Sequence, residues 1–164
     1  MPLYDKAKIL AYLKQMGIPY QIKEHPPLFT MEEMEACGLT SRGDVCKNLF
    51  LRDNKGRRHF LVVLRGDKHA DLKQVASLLG TSRLGFASSQ RLLQYLGVTP
   101  GSVSPFCILN DNSHSVTLVL DEDIAQLPLV GVHPNDNTAT LWLTYTNLMQ
   151  VVAASGNSIK TIKL

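Results

Sequence analysis

The chain has 164 residues, 45% of them apolar and 19% charged, with a net charge of +3. That is the size and composition of one globular domain with one sizeable core, and it excludes a disordered chain. No apolar run approaches the roughly 20 residues needed to span a bilayer, and the N-terminus reads as an amphipathic helix rather than a signal peptide. The modest positive charge is a weak pointer to an anionic partner.

In chain order, Ile9, Leu10, Leu13 and Met16 recur at helical spacing after Asp5, with Gly17 as the stop. Ile18, Tyr20 and Ile22 alternate with polar residues as in a strand, which His25-Pro26-Pro27 ends because proline cannot donate to a ladder. Thr30 followed by Glu33 forms a capping box for a short helix to about Cys37. Val45–Arg52 and His59–Leu64 are apolar runs joined by Asp53-Asn54-Lys55-Gly56, the pattern of a β-hairpin.

Asp71 can cap a helix whose Leu72, Val75, Ala76 and Leu79 form one face, ending at Gly80. A short strand at Leu84–Phe86 precedes a second helix, Ser89–Leu96, stopped by Gly97. Beyond the loop Gly97–Pro105, the runs Phe106–Leu109 and Val116–Leu120 read as a strand pair. Leu129–Val132, Ala139–Thr144 and Ile159–Leu164 are the remaining strands, and Thr144 or Thr146 caps a last helix to about Ala154. Helices and strands are interspersed without regular alternation and include tight hairpins. The expected class is α/β (α+β), with a mixed, largely antiparallel sheet and helices outside it.

Three places could carry chemistry. Lys47 shares one side of its strand with Val45, Leu49 and Leu51 if alternation holds, so its cation either snorkels to solvent or anchors a phosphate or carbonyl. Asn48 then points to the opposite face. Gly101-Ser102-Val103-Ser104-Pro105 is either a tight connection or a loop whose backbone N–H groups hold an oxyanion. His133-Pro134 is either a strand terminator or a polarising group, and Asn135, Asp136 and Asn137 after it read as turn formers.

The cysteines Cys37, Cys46 and Cys107 suit a reducing compartment, with the cytoplasm as the expected location. Cys46 and Cys107 read as core. No histidine or cysteine spacing matches a metal motif, and no serine sits in a nucleophile elbow. The basic stretch Arg52 to His59, with Arg57 and Arg58 at the hairpin tip, is either a solvated turn or a contact for an RNA backbone.

Taken in succession, Lys47-Asn48-Leu49-Phe50-Leu51, Gly101-Ser102-Val103-Ser104-Pro105-Phe106 and His133-Pro134 with Asn137-Thr138-Ala139-Thr140 resemble the prolyl-tRNA-synthetase-associated editing family of the YbaK/ProX type. Gly17-Ile18-Pro19-Tyr20 and Glu24-His25-Pro26-Pro27-Leu28-Phe29-Thr30 are similar to its free-standing branch, which deacylates alanyl-tRNA(Pro).

The resemblance runs from about residue 5 to the C-terminus. It implies one editing domain over residues 1–164, a sheet partly closed into a barrel, and a pocket for the aminoacylated end of the tRNA. It implies no cofactor, no metal and no protein nucleophile. Lys47, Gly101 and His133 would be the catalytic set; Asn48, Ser102, Val103, Pro105, Tyr20, Phe29 and Thr30 would line the substrate. Arg57 and Arg58 would touch the tRNA. The implied partners are aminoacylated tRNA(Pro) and a prolyl-tRNA synthetase, with no membrane. A same-fold deacylase for cysteinyl-tRNA(Pro) or another small amino acid, or a non-catalytic tRNA- or synthetase-binding module, remain the alternatives.

Overall fold

The computed structural model describes residues 3–39 and 44–164. Its elements run α1 (Lys6–Gln15), β1 (Gln21–Glu24), α2 (Met31–Ala36), β2 (Asp44–Val45), β3 (Lys47–Arg52), β4 (His59–Leu64), α3 (Leu72–Leu79), β5 (Gly85–Phe86) and α4 (Ser89–Leu96). They continue with β6 (Val116–Asp121), β7 (Val130–Val132), β8 (Ala139–Leu143), α5 (Tyr145–Ala153) and β9 (Ile159–Ile162). Two 3-10 helices, Pro105–Asn110 and Glu122–Gln126, flank β6.

The helices start where a side-chain oxygen can take an otherwise unpaired amide. Asp5 accepts from Lys8 N–H, Thr30 from Glu33, Asp71 from Lys73 and Gln74, Ser88 from Arg91 and Thr144 from Asn147. Thr144, not Thr146, is therefore the cap of α5.

The strands form two sheets, β1-β8-β7-β2 and β5-β3-β4-β6-β9. The chain crosses from one to the other at Cys46, between β2 and β3. β2 lies parallel to β7, β3 pairs antiparallel with β4, and β4–β6–β9 are parallel, so both sheets are mixed. The barrel stays open, with the sheets joined through this crossing. Helices lie outside, as the composition pattern led one to expect.

The main core fills the space between the sheets: Phe50, Leu61 and Val63 face Val130, Val132, Leu141 and Leu143, with Ile9 and Leu13 of α1 and Leu148, Val151 and Val152 of α5. A second layer packs Val75, Ala76 and Leu79 of α3 on the other face of β3 and β4, against Leu51, Phe60 and Val62. Burial of Val75 and Leu79 stabilises that contact by about 1.5–3 kcal/mol each. A third set, Leu28, Leu39, Val45 and Trp142, covers the outer face of the four-stranded sheet.

Three expectations are corrected. Phe106–Leu109 is not a strand. Ser104 accepts from Phe106 N–H (3.1 Å) and Pro105 opens a 3-10 helix whose Phe106, Cys107 and Ile108 are buried. Proline at the first helical position and serine just before it favour this start. Val45 does not share a face with Lys47, because the two lie in different sheets on either side of Cys46. His59 is no part of an exposed basic tip. It is 2% exposed, stacked on Phe50 and packed against Tyr95, with Arg91 Nη1 2.9 Å from its Nε2.

Candidate active site

The crossing at Cys46 places the first residues of β3 beside the loop before α2, the Gly101 loop and the end of β7. Together they enclose a cavity of about 290 Å³ to which Lys47, Asn48, Gly101, Val103, His133, Phe29 and Thr30 all contribute. Leu28, Met34, Cys46 and Leu49 complete its wall and were not singled out from the sequence as lining residues. Cys46 is buried in the main core, as expected, and also meets the cavity.

Four consecutive residues, Cys46 to Leu49, reach the cavity because it abuts the edge of the strand rather than one face of it. On that edge β5 pairs only with Leu51 and Arg52, and Ala87 N–H reaches Phe50 O. By the alternation of an antiparallel ladder, the N–H and C=O of Asn48 also point to that open side. Among the described residues its buried Oδ1 has no hydrogen-bond partner.

The Lys47 ammonium donates to Lys68 O at 2.7 Å. The Lys68 loop is itself tied down, its own ammonium meeting Asp121 (2.9 Å), Asp123 (2.6 Å) and the Leu164 carbonyl (2.8 Å). Lys47 has no carboxylate partner among the described residues, so its charge remains available at the cavity wall.

Gly101 sits at φ +92, where a side chain is rarely tolerated, and a Cβ there would lie 2.7 Å from Phe29 Cε1 and 3.1 Å from Asn137 Nδ2. In its loop, Ser102 N–H is committed to Thr99 O and Ser104 N–H to Cys107 Sγ. Among the described residues the amides of Gly101 and Val103, the two loop residues that line the cavity, carry no such bond. Donors in this arrangement can hold a developing oxyanion.

His133 is buried, and its Nδ1 donates to Ala139 O at 3.1 Å, which leaves Nε2 as the lone-pair nitrogen. Burial depresses its pKa below the usual histidine value, with nearby His25 adding to the effect. His25 packs edge-on against it, bonded at its own nitrogens to Pro26 O and Thr140 Oγ1.

Not every residue named from the sequence meets this cavity. Ser102 lines a neighbouring one with Pro100, Asn137 and Thr138. Pro105 is buried as the first residue of its 3-10 helix, and Tyr20 packs half-buried on the main core. Arg57 and Arg58 are exposed at the hairpin tip, at the far end of β3 from Lys47. Their amides are held by Asp53 Oδ1 (2.8 and 3.1 Å).

Asn135 and Asn137 are more than turn formers. Asn137 brackets both polar groups of the Leu28 backbone, and Asn135 takes up left-handed φ +59 to link Ser104 Oγ (2.7 Å) with Tyr4 O (2.6 Å). These asparagines fasten the Phe29 loop and the Gly101 loop around His133. Among the described residues no three His, Cys, Asp or Glu side chains come together as a metal site.

Comparison with known proteins identifies the family and the fold. The aminoacyl-tRNA editing domain family matches residues 25–151. The prolyl-tRNA editing protein ProX of Acetoanaerobium sticklandii is 44% identical over 164 residues, covering all of both chains. The prolyl-tRNA synthetase associated domain-containing protein 1 of Danio rerio is 36% identical over 151 residues, 91% of this chain and 82% of that one. A crystal structure of a candidate trans-editing enzyme for prolyl tRNA synthetase superposes with TM-score 0.70 at 22% identity, over 99% of both chains, and shares the fold. The chain therefore belongs to the aminoacyl-tRNA editing domain family, the deacylases that hydrolyse the ester of a mischarged tRNA.

Proposed function

We propose that this deacylase acts in trans on mischarged tRNA(Pro), with alanine as the amino acid it removes, in the cytoplasm alongside prolyl-tRNA synthetase. The observation that carries the reading is the convergence of Lys47, the Gly101 loop and His133, distant in sequence, on one cavity. The wall contributed by Leu28, Met34, Cys46 and Val103 suits a small apolar side chain. Alanine is smaller than proline, so a synthetase pocket built for proline discriminates only through lost contacts, about 0.8 kcal/mol per CH₂. A second sieve that rejects proline by overlap supplies the rest.

In the proposed reaction, a water assisted by the free ribose hydroxyl of the terminal adenosine attacks the ester carbonyl. The Gly101 and Val103 amides stabilise the oxyanion. The C–O bond to the ribose then breaks, its oxygen takes the proton, and free alanine and tRNA leave. Lys47 holds the terminal nucleotide or the aminoacyl group by charge. The unpaired Asn48 Oδ1 accepts from the substrate α-ammonium, offsetting the roughly 1–3 kcal/mol that an unsatisfied buried acceptor costs. His133, neutral by its burial, shapes and polarises the pocket without adding a competing charge.

The test is single-turnover hydrolysis of tRNA(Pro) charged in parallel with alanine, cysteine, serine and proline. Alanyl-tRNA(Pro) should be hydrolysed fastest and prolyl-tRNA(Pro) spared, and Lys47→Ala should nearly abolish turnover while the thermal melt holds. Preference for the cysteinyl ester would reassign the amino acid, and no turnover of any ester would leave a binding module.

A further inference from the structure

The cavity just described has a neighbour. Across Lys47 and Leu49, which line both, lies a second hollow of about 400 Å³ that also includes His69, Leu72 and Phe86. Phe86 is 62% exposed, an unusual place for an aromatic ring in an element as short as β5. Its register partner on β3 is Leu51, so its side chain shares the face of Leu51, Leu49 and Lys47. The offset from Leu51 back to Lys47 is about 13 Å at 3.3 Å per residue. The ring therefore stands at the outer lip of a hollow whose inner end is the Lys47 ammonium.

Cations continue outward along the same strand edge. Arg52, whose side chain alternates to the other face of β3 and donates to Asp53 O, lies against β5 with its guanidinium 3.9 Å from where a Gly85 Cβ would stand, and Arg83 is exposed on the chain before β5. Arg57 and Arg58 follow at the hairpin tip. The carboxylates around the hollow and the turn are engaged: Asp121 and Asp123 hold Lys68, Asp71 caps α3 and Asp53 holds the hairpin turn. An exposed ring, an apolar floor and cations near an ester-sized pocket fit an unpaired nucleobase on a polyanionic strand.

We propose that Phe86 is a stacking platform for the unpaired base next to the terminal adenosine of the bound tRNA, seated in the hollow it shares with Lys47. The inference rests on reading the first cavity as the aminoacyl-ester site. It extends the contact with RNA to a defined ring and accounts for an exposed Phe that the fold does not need.

The experiment is direct binding of a labelled RNA hairpin with a single-stranded CCA 3′ end, followed by anisotropy at fixed salt. Phe86→Ala should weaken binding by about 5- to 150-fold, the range of one base–aromatic stack. Phe86→Leu, equally apolar but without a π-face, should weaken it nearly as much, and Phe86→Trp should restore it. An abasic site at the penultimate position should erase the difference between wild type and Phe86→Ala. The salt slope should be the same in both proteins, since no cation is lost.

Wild-type affinity in Phe86→Ala would overturn the proposal, as would an equal loss on intact and abasic RNA. So would unaltered RNA binding combined with lost binding of prolyl-tRNA synthetase, which would make the ring a protein contact. The editing reading fails separately, through a wild-type protein that binds the hairpin and hydrolyses no aminoacyl ester.

Discussion

Replacing Gly101 by alanine is the most informative single change, because its consequences divide into two parts that can be measured apart. At φ +92 any Cβ is strained, by about 1–2 kcal/mol on the scale of left-handed backbone. The new methyl would also stand 2.7 Å from Phe29 Cε1, closer than carbon atoms approach. Phe29 is 69% exposed and can swing aside, so this clash displaces a cavity-lining ring rather than unfolding the loop.

The stability loss should therefore stay near 1–2 kcal/mol, whereas the rate should fall on the order of 10²–10³-fold if the loop amides hold the oxyanion. Single-turnover deacylation of alanyl-tRNA(Pro), with urea melts on the same preparations, separates the two. Repeating the substitution in a Phe29→Ala background removes the clash with the ring but neither the strain nor the 3.1 Å approach to Asn137 Nδ2. The rate defect should survive there. Full recovery of rate in the double variant would show that Gly101 only makes room for Phe29, and the oxyanion assignment would be refuted.

Further expectations follow from other parts of the molecule. Burial pushes the Cys107 thiol up to about 12, so it carries no thiolate at neutral pH; Cys107→Ala should hydrolyse within a few-fold of wild type, and an acyl group trapped on the sulfur would contradict this. His133 and His59 both have pKa values depressed chiefly by burial, with Arg91 adding to the effect at His59. Below the unfolded value of about 6.5 the unfolded chain binds more protons, so stability should fall as pH drops from 6.5 toward the folded values. Urea melts across that range, repeated on His133→Gln, should show a smaller pH slope in the variant. Removing Arg57 and Arg58 together should flatten the log–log salt dependence of tRNA binding by about 0.7–0.9 per lost phosphate contact, and an unchanged slope would leave the hairpin tip a solvated turn.

The helices were legible because caps and apolar faces are local: Asp71, Ser88 and Thr144 act within three residues of themselves. The run Phe106–Leu109 misled because four apolar residues suit a strand or a buried turn equally, although Ser104-Pro105 was the available signal of a helical start. The parting of Val45 from Lys47 has no local signature. It depends on β7 being present to capture β2, a long-range event. The burial of His59 likewise depends on Tyr95 and Arg91 arriving from α4. For the site, ordered motifs pointed to Lys47, Gly101 and His133, but motif membership says nothing of which way a residue faces. Tyr20 and Pro105 belong to the motifs yet turn into the core, while Leu28 and Met34 reach the cavity through the packing of their loop and α2.

The passage of the chain between the two sheets has a bearing on selectivity. Val45, the last residue before it, is gripped by bare backbone on two sides: a Cβ on Gly66 would fall 2.1 Å from Val45 O, and one on Gly131 would fall 3.0 Å from Val45 Cα. Cys46 N–H is then fixed to Gly131 O at 2.9 Å. A filter that excludes by overlap works only if its wall does not give, since a yielding wall converts a clash into a small distortion. Here the unyielding part is main chain clamped against main chain, which no rotamer change can relax. On the proposed reading, side chains around the cavity could be exchanged to suit another amino acid, while the main chain packed behind Cys46 at Gly66 and Gly131 would keep that wall in place.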